Sequence, residues 1–166
     1  MTELYTLPLK DRVIGPLLAR RAREDGHRVY MRFDDRSWTF AEMDQQVRAI
    51  GRGLRQLGVA KQDKVALLLP NCPEFVFAWY GSVVVGAVFV PINPTYTGPL
   101  LDYILKDSGA SGLIADRQLL AQIATVPLET LRQLKWVAVL GGLDGLDLPE
   151  GPARYLSYDE LPVAEG

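Results

Sequence analysis

The sequence is short of the residues that most often carry chemistry. Among its 166 residues there is one cysteine, Cys72, and one histidine, His27. A single cysteine excludes an internal disulfide and a multi-cysteine metal site, so the chain reads as reduced, intracellular and cytoplasmic. His27 stands in a polar turn with no second metal ligand at a useful spacing. It reads as an exposed structural histidine rather than a ligand or base. An excess of basic charge is lacking too, with Lys+Arg 18 against Asp+Glu 20 and a net charge of -2. That balance argues against nucleic acid as a partner, because a duplex footprint needs one strongly cationic face. The densest basic stretch, Arg20, Arg21 and Arg23 with Arg28, Arg32 and Arg36, is interleaved with Glu24, Asp25, Asp34 and Asp35. It reads as a solvated mixed-charge face. There is no internal repeat and no low-complexity segment. The opening MTELYTLPLKDRVIGPLL carries acids early and no unbroken apolar core, so a signal peptide is not expected.

What the chain does have is one long uncharged run, the eighteen residues from Phe75 to Ile92. Its length meets the rule for a membrane-spanning helix. Its punctuation does not: Pro70 and Pro73 precede it, Pro91 ends it, and Gly81 and Gly86 divide it into a helical part and a β-branched part, Val83 to Val85 and Val88 to Val90. A buried helix followed by a central strand of a parallel sheet is the better reading, since such strands are covered on both faces and read as continuous apolar runs. No transmembrane segment is expected.

Around that run the pattern alternates. Residues 12–24 suit a helix stopped by Gly26, and Val29 to Phe33 with Ser37 to Phe40 flank Asp34, Asp35 and Arg36 as a hairpin. Thr39 three residues before Glu42 has the spacing of a capping box, opening a helix whose apolar stripe is Val47, Ile50, Leu54 and Leu57 and whose stop is Gly58. Strands are expected at Lys64 to Leu69, Ala87 to Pro91, Ser111 to Ala115 and Trp136 to Leu140. Helices are expected from Pro73, from Pro99 and after the cap Asp116. After Leu140 the pattern weakens, with room for one strand and one helical turn between Tyr155 and Leu161. The class is α/β, a mainly parallel sheet with flanking helices, in a single domain over 1–166 whose stretch 141–166 is largely irregular.

Candidate functional groups are few. Cys72 sits at a strand-to-helix junction, where a helix N-terminus lowers a thiol pKa, but with the only histidine far off in sequence inert packing is the favoured reading. Asp34 with Asp35, and Asp144 with Asp147, read as turn residues. Gly51, Gly53 and Gly58 lie in or at the end of a helix, where a dinucleotide loop does not occur. Gly141, Gly142 and Gly145 do follow a strand, but with no Lys, Ser or Thr among them they read as a flexible connector. Ligands of parallel sheets gather at the carboxyl ends of the strands, here Pro70 with Asn71, Asn93 to Tyr96, and Asp116. Asn93, Thr95 and Tyr96 are open to a ligand role or to simple turn formation.

Three stretches in order, SWTFAEMDQQVRAIGRGLRQLGVAKQDKVALLLPNCPEF, YGSVVVGAVFVPINP and LDYILKDSGASGLI, resemble the first two conserved blocks of the adenylate-forming acyl-CoA synthetases, the AMP-binding superfamily. The likeness covers residues 12–140. NCPEFVFAWYG and VPINP are most similar to the fatty acid CoA ligases and the carnitine or crotonobetaine CoA ligases, and Leu100 departs from a glutamate common at that place. The resemblance implies the N-terminal portion of the acyl-adenylate-forming fold. It also implies a two-step reaction in which ATP and a small carboxylic acid give an acyl-adenylate and pyrophosphate, and CoA then displaces AMP. ATP, Mg²⁺ and CoA are thereby implied for a full-length enzyme, whose phosphate charge is offset by metal, cations and backbone donors. In the family those come from a glycine-rich loop ending in lysine, later acidic and aromatic motifs, and a lysine in a mobile C-terminal domain, none of which occurs in these residues. No catalytic, cofactor-binding or metal residue is therefore assigned, and substrate contacts are not readable. The expectation is an N-terminal fragment of an acyl-CoA ligase, inactive alone, whose partner is the remainder of the polypeptide and which self-associates through surface that remainder would cover. The alternative is a stand-alone binding or interaction module on the same scaffold.

Overall fold

The central feature of the computed structural model, which describes residue 8 and residues 12–161, is a five-stranded parallel sheet. The opening read as no signal peptide, Pro8 and the residues from Arg12 apart, and the last five residues of the expected irregular tail lie outside the described residues. Ahead of the sheet come α1 (Ile14–Glu24), the antiparallel hairpin β1 (Val29–Phe33) and β2 (Arg36–Thr39), and α2 (Phe40–Gln56). Strands and helices then alternate: β3 (Lys64–Leu68), α3 (Pro73–Val84), β4 (Val88–Pro91), α4 (Gly98–Ser108), β5 (Gly112–Asp116). A 3-10 turn (Arg117–Leu119), α5 (Leu120–Ile123), α6 (Leu128–Leu131), β6 (Trp136–Leu140), β7 (Tyr155–Ser157) and a second 3-10 turn (Tyr158–Glu160) complete the order.

Local chemistry sets the element ends. Thr39 and Glu42 form the reciprocal box, with Glu42 N–H donating to Thr39 Oγ1 at 3.2 Å and Thr39 N–H to Glu42 Oε2 at 2.8 Å. These bonds hold the Glu42 carboxyl below its ordinary pKa. At the other end of α2, Gly58 takes φ +82, and its N–H and that of Val59 donate to Arg55 O and Leu54 O, the two bonds of a Schellman stop. Asp34 supplies the left-handed residue of the hairpin turn, φ 51. Gly26 differs from its expected role. It is not left-handed; a Cβ there would meet Ala22 O at 2.4 Å, so glycine is needed for close approach to the last turn of α1.

The strands run in the order β4-β3-β5-β6-β7, and every neighbouring pair is parallel. This corrects the central placement expected for the strand at Ala87 to Pro91: β4 is an edge, with Val88 48% exposed. Its register explains the proline. Val88 and Ile92 donate inward to Asp63 O and Leu67 O, so the alternate residues Phe89 and Pro91 point their backbone groups outward. Pro91 has no N–H to offer there, so the free edge loses one of its two outward donors.

The two faces of the sheet carry separate cores. Val65, Leu67, Leu69, Ile114, Trp136 and Ala138 meet α1, α2 and α3 on one face. Ala66, Leu68, Leu113, Ala115, Val137 and Val139 meet α4, α5 and α6 on the other. On the first face α2 and α3 cross closely, because Gly81 faces Ile50 and Gly51; a Cβ on Gly81 would fall 2.6 Å from the Ile50 side chain. Gly81 therefore does not divide the uncharged run as expected. It lies inside α3, which continues through Val83 and Val84, and the chain breaks only at Gly86, φ +82. The helix from Phe75 on, a turn and a strand thus account for the run. Among the described residues no helix is long and apolar enough to cross a membrane.

Candidate functional site

The chain leaves β3 for β4 on one side and returns to β5 on the other, so the carboxyl ends of β3 and β5 flank the point where the strand order reverses. In open parallel sheets the crevice beyond such a point is where ligands bind. Pro70, Asn71 and Cys72 follow β3 there, Asp116 and Arg117 follow β5, the loop Asn93 to Tyr96 follows β4, and Gly141 follows β6. The topology therefore brings together the sheet-end residues that the sequence marks.

The side chains of Asn93, Thr95, Asp116 and Arg117 are engaged by the fold. Asn93 Oδ1 accepts from Thr95 N–H and from Thr95 Oγ1, both at 2.9 Å, and Tyr96 N–H donates to Asn93 O at 3.0 Å. Between the ligand and turn roles left open for these residues, this geometry is that of a turn. Gln122 Nε2 donates to Pro94 O at 2.8 Å, and Thr125 Oγ1 accepts from Gly98 N–H at 2.7 Å while donating to Gln122 O, which ties the loop and the start of α4 to α5. Asp116 Oδ1 accepts from Gln118 N–H at 2.7 Å, the capping role expected of it.

The glycine connector after β6 is tied down rather than free. Arg117 donates to Gly141 O at 2.7 Å and to Asp144 O at 3.1 Å, and the left-handed Gly141, Gly142 and Gly145 turn those carbonyls toward it. Sequence reading passed over Arg117. The available signal was a cation directly after the capping Asp116, level with a glycine pair on the next strand.

Cys72 is the N-cap of α3 and is half-buried. Burial, more than the nearby Glu74 carboxylate, pushes its thiol up to about 11, against the lowering a helix N-terminus gives. It is therefore a packed thiol at neutral pH. Tyr158 reaches the same corner, donating to Glu74 O at 3.4 Å, and burial raises its phenol too. His27 lies exposed between α1 and β1, away from this end. Among the described residues no three or more His, Cys, Asp or Glu are placed to hold a metal ion. At this end Arg117 spends its guanidinium on carbonyls and Asp116 its carboxylate on a cap, while Arg36 meets Glu74 at 3.9 Å by the first turn of α3; no chemical step is derived through ATP, Mg²⁺ or CoA.

Comparison with known proteins places the whole arrangement. The chain is 39% identical over 106 residues to the feruloyl-CoA synthase of Amycolatopsis sp, covering 64% of this chain and 22% of that one. It is 34% identical over 102 residues to the crotonobetaine/carnitine–CoA ligase of Escherichia fergusonii, 61% and 20% respectively. It thus spans about a fifth of the length of these relatives. Among solved structures, the anthranilate CoA ligase AuaEII in complex with anthranoyl-AMP superposes with a TM-score of 0.79 at 28% identity, over 96% of this chain and 29% of that one. The N-terminal domain of FACL13 from Mycobacterium tuberculosis gives 0.65 at 28%, over 92% and 36%. The sheet and its helices are the N-terminal portion of the adenylate-forming fold. With the model of the AMP-binding enzyme family matching residues 18–155, the chain belongs to that family.

Proposed function

We propose that these residues are the N-terminal subdomain of an acyl-CoA ligase that activates a carboxylic acid with ATP and passes the acyl group to CoA. The family match across residues 18–155 carries this reading. The phosphate-binding and adenylating groups then come from sequence outside the 166 residues, which are inactive alone. This agrees with sheet-end side chains that are consumed by turns, caps and a carbonyl clamp. The chain acts as a scaffold, and its partner is the remainder of the ligase polypeptide in the cytoplasm.

For the acid, the relatives' names span ferulate, carnitine and crotonobetaine, and solved neighbours include a fatty acyl CoA synthetase. We favour a fatty or carnitine-like acid, with an aromatic acid as the competing class. The test is ATP–pyrophosphate exchange with a panel of these acids, using the 166-residue chain and the product of its coding frame read past Gly166. Exchange only by the longer product is expected. Exchange by the short chain overturns the assignment of the chemistry elsewhere. Failure of a longer, folded product to exchange with any acid overturns the ligase reading. A stop codon after Gly166 with acid binding but no exchange would establish the stand-alone module instead.

A further inference from the structure

The residues after β7 do not leave the sheet. They fold back across its carboxyl end. Ser157 Oγ accepts from Asp159 N–H, and Glu160 Oε1 accepts from Ser157 N–H at 2.8 Å, a capping box that tightens the 3-10 turn. The turn packs on β6 and buries Tyr158 and Leu161, 5% and 1% exposed, in the core shared by α1, α2 and α3. Tyr158 reaches the first turn of α3 through Glu74 O. Leu161 lies with its backbone directly on α2 at Gly53, where a Cβ would stand 1.9 Å from Leu161 O. The segment therefore joins β7 to the starting turn of α3 and to the last turn of α2.

Its attachments are unlike those of the strands beneath it. Tyr158 is held by one long hydrogen bond of 3.4 Å, and Arg154 meets Glu160 at only 4.0 Å with both side chains more than half exposed. The strand that leads into it, β7, has three residues and pairs on one side alone. By contrast β3 and β5 are paired on both sides. Local stability runs from near zero in fraying segments to the global value in core strands, and a three-residue strand paired on one side stands below β3 and β5 on that scale. Cys72 is the N-cap of α3, two residues before Glu74, and packs against the core that holds Tyr158.

We propose that Ser157–Leu161 is a strap that covers the crevice at the carboxyl ends of β3 and β5 from the α1–α3 side. It opens as a unit without unfolding the sheet, uncovering Cys72 and the first turn of α3. In this fold the strap occupies ground that a ligand takes in other parallel sheets. The inference rests on the packing of this chain alone and does not depend on the ligase reading.

The single cysteine makes the test direct, because any thiol label reports Cys72. Labelling rates with a maleimide at one fixed pH are measured for the unmodified chain, for the strap variants Leu161→Ala and Gly53→Ala, and for Leu105→Ala on the opposite face. Global stability of each comes from urea unfolding. At equal loss of global stability, the strap variants are expected to label at least about tenfold faster than Leu105→Ala, because local opening is weighted separately from global unfolding. Rates that follow global stability on a single line overturn the strap. So does an unmodified chain that labels as fast in buffer as in urea. Should Gly53→Ala fail to fold, hydrogen exchange on the unmodified chain decides: amides of residues 157–161 less protected than those of β3 and β5 support the strap, and equal protection refutes it.

Discussion

Gly112 and Trp136 form a cross-strand pair whose energetics follow from one distance. They face each other in the β5–β6 register, and a Cβ built on Gly112 falls 2.1 Å from Trp136 Cζ2 and 2.3 Å from Cε2. Gly112 does not have a positive φ, so alanine is conformationally acceptable there and the conflict is purely steric. The neighbour is a rigid ring, 3% exposed and packed in the α1–α3 core, so it has little room to yield. Overpacking of this kind costs about 1–3 kcal/mol, and relieving a strand glycine returns only about 0.5–1 kcal/mol. We expect Gly112→Ala to destabilise by about 1–2 kcal/mol on those terms.

Trp136→Leu alone is also destabilising, because it removes much of a buried ring, by somewhat less than the ~3–5 kcal/mol of a full truncation to alanine. In that background the added methyl enters vacated space, and Gly112→Ala becomes neutral or stabilising by up to about 0.5 kcal/mol. The double-mutant cycle therefore carries a coupling of about 1–2.5 kcal/mol. With a urea m-value of about 2 kcal/mol/M, this appears as a difference approaching 1 M between the midpoint shifts in the two backgrounds. Circular dichroism is the suitable probe, since one variant removes a tryptophan. Additive effects, with Gly112→Ala costing the same in both backgrounds, would refute the argument.

Thr39→Ala should cost about 1 kcal/mol in urea unfolding by opening the capping box. The gap between it and the unmodified chain should narrow on acidification: Glu42 has its folded pKa depressed, so its contribution is full above the ordinary 4.5 and is lost as pH falls through the lowered value. At the alkaline end Cys72 and Tyr155 have pKa values raised to about 11 and about 12. Their contributions are complete below the unfolded values of 9.0 and 10.0 and are lost as pH rises through the folded ones, so stability should decline above pH 9 and Tyr155→Phe should soften the fall. Leu100 and Tyr103, 57% and 63% exposed and one turn apart on α4, should support association that sedimentation detects as concentration rises. Leu100→Lys with Tyr103→Lys should abolish it; unchanged sedimentation would place the contact elsewhere.

Elements governed by local chemistry were legible in the sequence. The Thr39 box, the Gly58 stop, Pro73 at the first turn of α3 and the cap Asp116 each announce a boundary through backbone groups a few residues away. Relations across the sheet were not. Val88 to Val90 looks central because it is uncharged, yet its place at the edge depends on which strand β5 joins; Pro91 was the residue that marked it. Gly51 and Gly53 could be excluded from a phosphate loop, and Gly81 was read as a break in the uncharged run, but their actual work is to admit another helix or the strap, which only packing reveals. The short helix α6 gives no periodic signal at four residues. At the sheet end the marked residues do lie at the ends of neighbouring strands, but their engagement by turns and by Arg117 is a matter of distances.

The core on the α1–α3 face contains Leu18, from the first helix, and Leu156, Tyr158 and Leu161, from the far end of the described chain. A growing polypeptide thus makes α1, α2 and α3 long before the residues that seal them are synthesised. Until then the apolar stripe around Ile50 and Leu54 stays partly open. Contacts spanning nearly the whole sequence close slowly, since loop entropy must be paid before they form. On the ribosome this face is where a chaperone would find its binding surface, and the opposite core, built from residues 66–139, can consolidate earlier.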